Sequence, residues 1–155
     1  MIIDWEHHYM PEELWLKKGG NKGQRTIVYE YGRPRGNLHP ELYDAEEHLR
    51  VMDEVGIDMA VLSMSVTNDD AQIALEEARV WDDNVSALMK KHPKRFVGLA
   101  PIPPLGGESA FDELKRAIET LGLRGVVIRS QVDGHSMDAK ELCPFYYRVS
   151  DYPSG

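Results

Sequence analysis

The chain of 155 residues contains a single cysteine, which excludes an internal disulfide framework and any metal site built from cysteine alone. One thiol, Cys143, without activating neighbours is typical of a protein kept in a reducing compartment, and we expect it to be packed. No apolar run approaches the roughly 18 residues that a membrane helix needs, and no charged-then-apolar leader opens the chain. The sequence therefore predicts a cytoplasmic protein with no membrane partner.

Positive charge is also scarce, because 18 Lys and Arg residues stand against 26 Asp and Glu residues and give a net charge of −8. Nucleic acids select basic patches, so this balance argues against a nucleic-acid partner. Neither a Gly-x-Gly-x-x-Gly nor a Walker pattern occurs, which weakens a nucleotide-binding interpretation. Hydrophobic residues make up 42% of the sequence, which is enough for one core, and we expect a single domain over residues 1–155.

Predicted helices and strands alternate along most of the chain. Asp44 is a good N-terminal cap with Glu47 three residues later, as in a capping box, and the apolar helical face that follows closes at Gly56. The continuously apolar centre of residues 57–65 is typical of a strand buried on both faces. Further helices are predicted from Asn68 or Asp69 to about Lys91, from Glu108 or Ser109, and over 144–150; further strands are predicted at 1–3, 95–102 and 123–128.

This alternation predicts right-handed βαβ units, a parallel sheet and an α/β fold class. Residues 11–43 are rich in glycine and proline and are predicted as a long loop with a small strand at 26–31. The later units have about 30 residues each, as in a (β/α)₈ TIM barrel. The predicted fold is therefore a TIM barrel truncated to about four βα units, with no fifth strand after Tyr152.

Half of a barrel leaves its outer strands without neighbours. Such strands expose rows of unpaired N–H and C=O groups, and we expect inner side chains such as Val61, Leu99 and Val126 to be opened to water. At about 25 cal/mol per Å² of apolar surface, a few hundred Å² costs several kcal/mol. The sequence thus predicts either a homodimer through the open barrel edges or a chain of poor stability.

The beginning of the chain holds the strongest candidate site. Residues i and i+2 of a strand project to one face, so Glu6 and His8 are predicted to point the same way and His7 the opposite way. A carboxylate beside an imidazole offers a pair of ligands for a divalent metal such as Zn²⁺ or Mn²⁺. The alternative is a polar cluster where a strand meets a loop.

A second candidate is Arg129, which follows the predicted strand that ends at Ile128. Barrel enzymes recruit binding groups at this end of a strand, and an arginine there can hold a substrate carboxylate through two parallel hydrogen bonds. A salt bridge to one of the nearby acids is the alternative. The other histidines are predicted to be packing or solvated residues: His7, His39, His48, His92 and His135.

Several motifs occur together in a characteristic order. They are Ile3-Asp4-x-Glu6-x-His8-x-x-Pro11, His48-Leu49-x-x-Met52-Asp53-x-x-Gly56-Ile57-Asp58, Arg95-Phe96-Val97-Gly98-Leu99-Ala100 and Asp133-Gly134-x-x-Met137-Asp138. With these motifs the chain resembles the amidohydrolase-related family, the branch of metal-dependent (β/α)₈ hydrolases that includes aminocarboxymuconate-semialdehyde decarboxylase. The resemblance extends over nearly the whole chain.

Most of that superfamily has His-x-His at the end of the first strand, whereas this chain has Glu6 and His8. Glu-x-His resembles the non-oxidative decarboxylases typified by γ-resorcylate decarboxylase. The resemblance implies one Zn²⁺ or Mn²⁺ ion and cleavage of the bond to a carboxylate on a small, aromatic substrate. Family members take further metal ligands and acid–base groups from strands five to eight, which this sequence does not carry. We therefore expect either a metal-dependent hydrolase or decarboxylase, or an incomplete fragment that only binds or assembles.

Overall fold

Strands and helices alternate in the computed structural model, which describes residues 1–30, 32–64, 68 and 70–152. The strands are β1 (Ile3–His8), β2 (Thr26–Glu30), β3 (Arg33–Leu38), β4 (Met59–Ser63), β5 (Phe96–Gly98), β6 (Gln131–Val132) and β7 (His135–Ser136). The helices are α1 (Glu12–Lys17), α2 (Ala45–Val55), α3 (Ala71–Lys91), α4 (Gly107–Lys115) and α5 (Cys143–Ser150). The predictions for Tyr31, Ser65 and Asp69 lie outside the described residues.

The central sheet is parallel and has the order β1–β4–β5. Residues 123–128 continue it beyond β5, because Ala100 N donates to Gly125 O at 2.8 Å and Val127 N donates to Ala100 O at 2.9 Å. The predicted fourth strand is thus present beside the third, although regular pairing there is confined to one bridge between Ala100 and Val126. This architecture agrees with the predicted half of a parallel barrel.

Helices α2 and α3 cover one face of the sheet and bury the main core there. Trp81 of α3 is fully buried, and its Nε1 donates to Leu99 O at 2.9 Å, which ties the helix to the end of β5. Around it lie the buried side chains of Tyr9, Leu14, Met52, Leu62, Val85 and Phe96. Trp81 and Val85 therefore lie on the sheet-facing side of this helix.

Local capping explains where α2 and α3 begin and end. The Asp44 carboxylate accepts a hydrogen bond from Glu47 N at 3.1 Å, as predicted, and Gly56 ends α2 with a left-handed φ of 78°. The cap of α3 differs from the prediction: Asp70, and not Asn68, accepts hydrogen bonds from Gln72 N and Ile73 N. Asn68 instead accepts from Asp70 N at 2.9 Å and so supports the cap.

The sequence prediction lacked helix α1, the second strand of the β2–β3 hairpin and the β6–β7 hairpin. The helix predicted from Glu108 or Ser109 continues past α4 as a π-helical turn at Arg116–Leu121. Two burial predictions were wrong as well. Cys143 is exposed at the first turn of α5, and Val61 is only 3% exposed because it lies on the central strand of the sheet. No described helix has the length and apolarity needed to cross a membrane.

Close packing of α3 on β5 depends on Gly98. A Cβ atom at this position would lie 2.2 Å from Val85 Cγ1 and 3.2 Å from Met89 Sδ. We expect Gly98→Ala to lower the free energy of unfolding by about 1–3 kcal/mol, because the added methyl group overpacks the helix–sheet contact. Urea unfolding measures this loss. Gly125→Ala is the control, since its Cβ would meet only Leu99 Cδ2, at 3.2 Å; equal losses would contradict the explanation.

Candidate functional site

The carboxyl end of β1 holds Glu6 and His8, and both residues are exposed. The strand contains an irregularity: Asp4 pairs with Ala60 and His7 pairs with Leu62, so β1 has one extra residue between these two points. Such a bulge interrupts strict alternation of side chains and re-aims them locally. Bulges of this kind are frequent beside functional sites.

His7 lies on the side of β1 that the helices cover. Its Nε2 is 2.8 Å from Nδ1 of His48 in α2, and the two rings meet edge to face. Tyr9 follows on the same side and contacts both His48 and Trp81. The expectation that Glu6 and His8 share the face opposite His7 stays a prediction, because the bulge interrupts alternation at Glu6.

A chain of hydrogen bonds runs through the two imidazole rings. Asp4 Oδ2 lies 2.6 Å from His7 Nδ1, and Glu41 O lies 2.6 Å from His48 Nε2. The Asp4 and Glu41 oxygens at the two ends of this chain accept hydrogen bonds, so His7 Nδ1 and His48 Nε2 donate to them. A further proton lies between His7 Nε2 and His48 Nδ1. Burial lowers the pKa of His48, because a desolvated imidazole disfavours its charged form.

His8 borders an open cavity of about 260 Å³ at the edge of β1. The same cavity is lined by His7, His39, His48, Glu41 and Glu47. His39 is partly exposed, and its Nδ1 lies 3.2 Å from the Glu41 carboxylate. His39 and His48, which the sequence predicts to be packing or solvated residues, both lie at the end of the candidate strand.

Glu6 and His8 match a divalent metal in donor type, because carboxylate oxygen and imidazole nitrogen are the ligands that zinc and manganese take. Within residues 1–30, 32–64, 68 and 70–152, however, no three histidine, cysteine or acidic side chains converge as a metal-binding group. A usable site needs about three protein ligands. The described part of the chain therefore supplies an incomplete ligand set.

Arg129 lies at the same edge of the sheet but borders another cavity, of about 180 Å³. Apolar side chains line most of it, among them Ala71, Ala74, Ile102, Pro103, Leu105 and Ile128. The β6–β7 hairpin closes one side with Val132 and with Asp133, which turns the chain at a positive φ of 48°. A guanidinium beside an apolar wall suits a small molecule that has one carboxylate and one apolar ring. The structure does not bring Arg129 and His8 into one cavity.

Comparison with known proteins connects this arrangement to a family. A family model described as amidohydrolase matches residues 3–152. A γ-resorcylate decarboxylase from Polaromonas sp. (strain JS666 / ATCC BAA-500) is 31% identical over 155 residues, covering 97% of this chain and 44% of that enzyme. A 2-amino-3-carboxymuconate-6-semialdehyde decarboxylase from Dictyostelium discoideum is 39% identical over 75 residues, which is 48% of this chain and 21% of that enzyme.

A solved structure of a decarboxylase has a fold similar to that of this chain. The crystal structure of a dihydroxybenzoic acid decarboxylase from Polaromonas sp. JS666, with bound manganese and the inhibitor 2-nitroresorcinol, matches with a TM-score of 0.73 and 27% identity. The match covers 97% of this chain and 46% of that structure. The chain thus spans about half the length of the Polaromonas enzyme and structure, and its sheet corresponds to half of a TIM barrel.

Proposed function

Because this chain belongs to the amidohydrolase family, we propose that it forms part of a metal-dependent decarboxylase for a small carboxylated aromatic substrate. The observation that carries the proposal is the Glu6-x-His8 pair at the carboxyl end of β1, in a fold that matches a manganese-containing decarboxylase at 27% identity. The relatives are decarboxylases by name, which favours this reaction over hydrolysis. The proposed location is the cytoplasm, since the one cysteine suits a reducing compartment.

In this proposal Glu6 and His8 are metal ligands, and Zn²⁺ or Mn²⁺ is the ion. A bound divalent metal would supply Lewis acidity and a template for the acidic substrate. Because the described residues offer no group of three ligands, the remaining donors must come from outside this part of the protein. The same reasoning predicts that the chain on its own binds metal weakly.

Arg129 is the proposed substrate-binding residue. Its cavity lies at the carboxyl ends of the parallel strands, which is the catalytic face of a barrel. The guanidinium would bind a carboxylate through two hydrogen bonds, and Ile102 and Pro103 would contact the aromatic ring.

Metal titration tests the ligand assignment. We expect Glu6→Gln and His8→Ala each to weaken Mn²⁺ binding by at least about tenfold, because each removes a donor atom. The signal of free Mn²⁺ in EPR measures the affinity. Glu54→Gln, which changes an exposed carboxylate on α2, should bind as the wild type does. Unchanged affinity in both Glu6→Gln and His8→Ala would remove these residues from the metal site.

The alternative function is a catalytically incomplete fragment that binds or assembles without reacting. The incomplete ligand set of the described residues favours it. γ-Resorcylate, named for the bacterial relative, is the test compound. Release of CO₂ by the wild-type chain with Mn²⁺, and its loss in Glu6→Gln, would support the decarboxylase. Binding of γ-resorcylate that Arg129→Gln weakens, without any CO₂ release, would support the incomplete fragment.

A further inference from the structure

Helix α3 has a second buried side, which faces α4 and the π-helical turn. Residues four apart lie on one helix face, and this face carries Ala74, Ala78, Asp82 and Ser86, each at most 1% exposed. Three of the four are alanine or serine, whose short side chains let the next helix approach closely. Ser86 Oγ donates to Leu121 O at 2.9 Å and fixes the contact at one end. The carboxyl group of Asp82 is therefore enclosed between helices.

The enclosure leaves Asp82 without a counter-charge of its own. Its side chain has no exposure, and neither carboxyl oxygen accepts a hydrogen bond from a described residue. An ionised carboxylate in such surroundings loses its hydration and accepts no hydrogen bond in return, which disfavours the charged form. A protonated carboxyl group avoids most of this cost.

Two arginines lie nearby, but both are engaged by other acids. Arg116 donates to both oxygens of Glu113 at 2.9 and 2.8 Å and to Asp83 at 2.6 Å. Arg79 Nε lies 3.4 Å from the same Glu113 carboxylate. With Asp82 ionised, a second negative charge would be buried beside the Glu113 carboxylate, while both nearby guanidinium groups are already paired with other acids. Protonation of Asp82 removes this second charge.

We propose that Asp82 is a buried proton-binding site, at which the folded chain holds a neutral carboxylic acid against the Glu113 carboxylate. A metal ion does not fit here, since Arg116 occupies both oxygens of Glu113 and hard cations take six or more oxygen ligands. The site makes the α3–α4 contact depend on proton concentration. It is independent of the proposed metal site and of the reaction assigned to the family.

Burial raises the pKa of Asp82 to about 9; the neighbouring Glu113 and Asp83 also raise it, and Arg116 lowers it. In the unfolded chain an aspartate titrates near pH 4, so above that pH the folded state binds one proton that the unfolded state does not. Stability is then greatest below about pH 4 for this group. It falls as the pH rises toward the raised pKa and levels off beyond it.

The test compares the pH dependence of unfolding of the wild type and of Asp82→Asn between pH 7 and pH 8.5, because all other titrating groups are the same in the two chains. For the wild type, the release of the Asp82 proton on unfolding should raise the equilibrium constant of unfolding about tenfold per pH unit. This amounts to about thirtyfold between pH 7 and pH 8.5. Asp82→Asn has nearly the same shape and no titrating proton, so its unfolding constant should lack this rise. Urea unfolding at fixed protein concentration measures both chains.

Asp83→Asn is the matched control, because Asp83 is the adjacent acid, is largely exposed and also binds Arg116. This variant should keep the wild-type pH dependence even if its stability changes. If Asp82→Asn does not fold, the protons that the wild type releases on unfolding are measured instead, in weak buffer at pH 8 with a pH indicator. Release of about one proton per chain is the expected result. Equal pH dependence in wild type and Asp82→Asn, or no proton release on unfolding, would overturn the proposal.

Discussion

Replacing Arg116 by alanine should lower the free energy of unfolding by about 3–5 kcal/mol, because it leaves the Glu113 carboxylate buried without its main partner. Arg116 donates to both Glu113 oxygens, and the Glu113 side chain is only 2% exposed. Arg79 Nε lies 3.4 Å from the Glu113 carboxylate and still balances part of its charge. We therefore expect the loss of stability to be near the lower end of this range. Urea unfolding at pH 7 gives the difference directly.

The chain contains a matched control for this prediction. Arg50 donates to both oxygens of Glu47, also three residues earlier, and to Glu54, but here the glutamate side chain is 31% exposed. Water solvates this carboxylate when the arginine is removed, so Arg50→Ala should lower the stability far less than Arg116→Ala does. The two variants thus share geometry and differ in burial. Similar losses for Arg50→Ala and Arg116→Ala would show that burial of the glutamate does not set the cost.

The parts of the fold that rest on local chemistry were predictable from the sequence. The cap at Asp44 and the left-handed stop at Gly56 are short-range signals, and the structure has both. Helix α1 was missed because it has six residues in a glycine-rich stretch, where packing of the fully buried Leu14 and Trp15 supports it more than periodicity does. The β6–β7 hairpin had a readable signal in its Asp-Gly turn, which Asp133 makes with a positive φ.

In the candidate site, too, features that depend on local sequence were predictable and features that depend on tertiary packing were not. Glu6 and His8 were placed at the end of the first strand because a two-residue spacing and an apolar run suffice for that. The contact between Asp4 and His7 was not predictable, since residues three apart in a regular strand point to opposite faces and only the bulge unites them. Asp82 resembles any solvent-facing acid in sequence. Its burial depends on a second helix that approaches a face without large apolar side chains.

Self-association through β1 is the second large effect to be expected. Among the described residues β1 pairs only with β4, so its other edge presents unpaired N–H and C=O groups. Large apolar side chains are exposed along it: Trp5 is 71% and Ile3 43% exposed. Val61, which was expected to be open to water, is buried, whereas Leu99 and Val126 are half-buried. The apolar surface that drives pairing therefore lies more on β1 than on the inner face of the central strand.

We expect the wild-type chain to sediment as a dimer at micromolar concentration and the double variant Ile3→Lys/Trp5→Lys to sediment as a monomer, because lysine on an edge strand opposes edge-to-edge pairing. Analytical ultracentrifugation measures both. The control is Ile27→Lys/Tyr29→Lys in β2, where the two side chains are 50% and 64% exposed but belong to a separate hairpin. This variant should stay dimeric, since it leaves the β1 edge unchanged. If the wild-type chain is instead a monomer with a cooperative thermal transition, the β1 edge needs no partner, and the predicted pairing of two half-barrels is wrong.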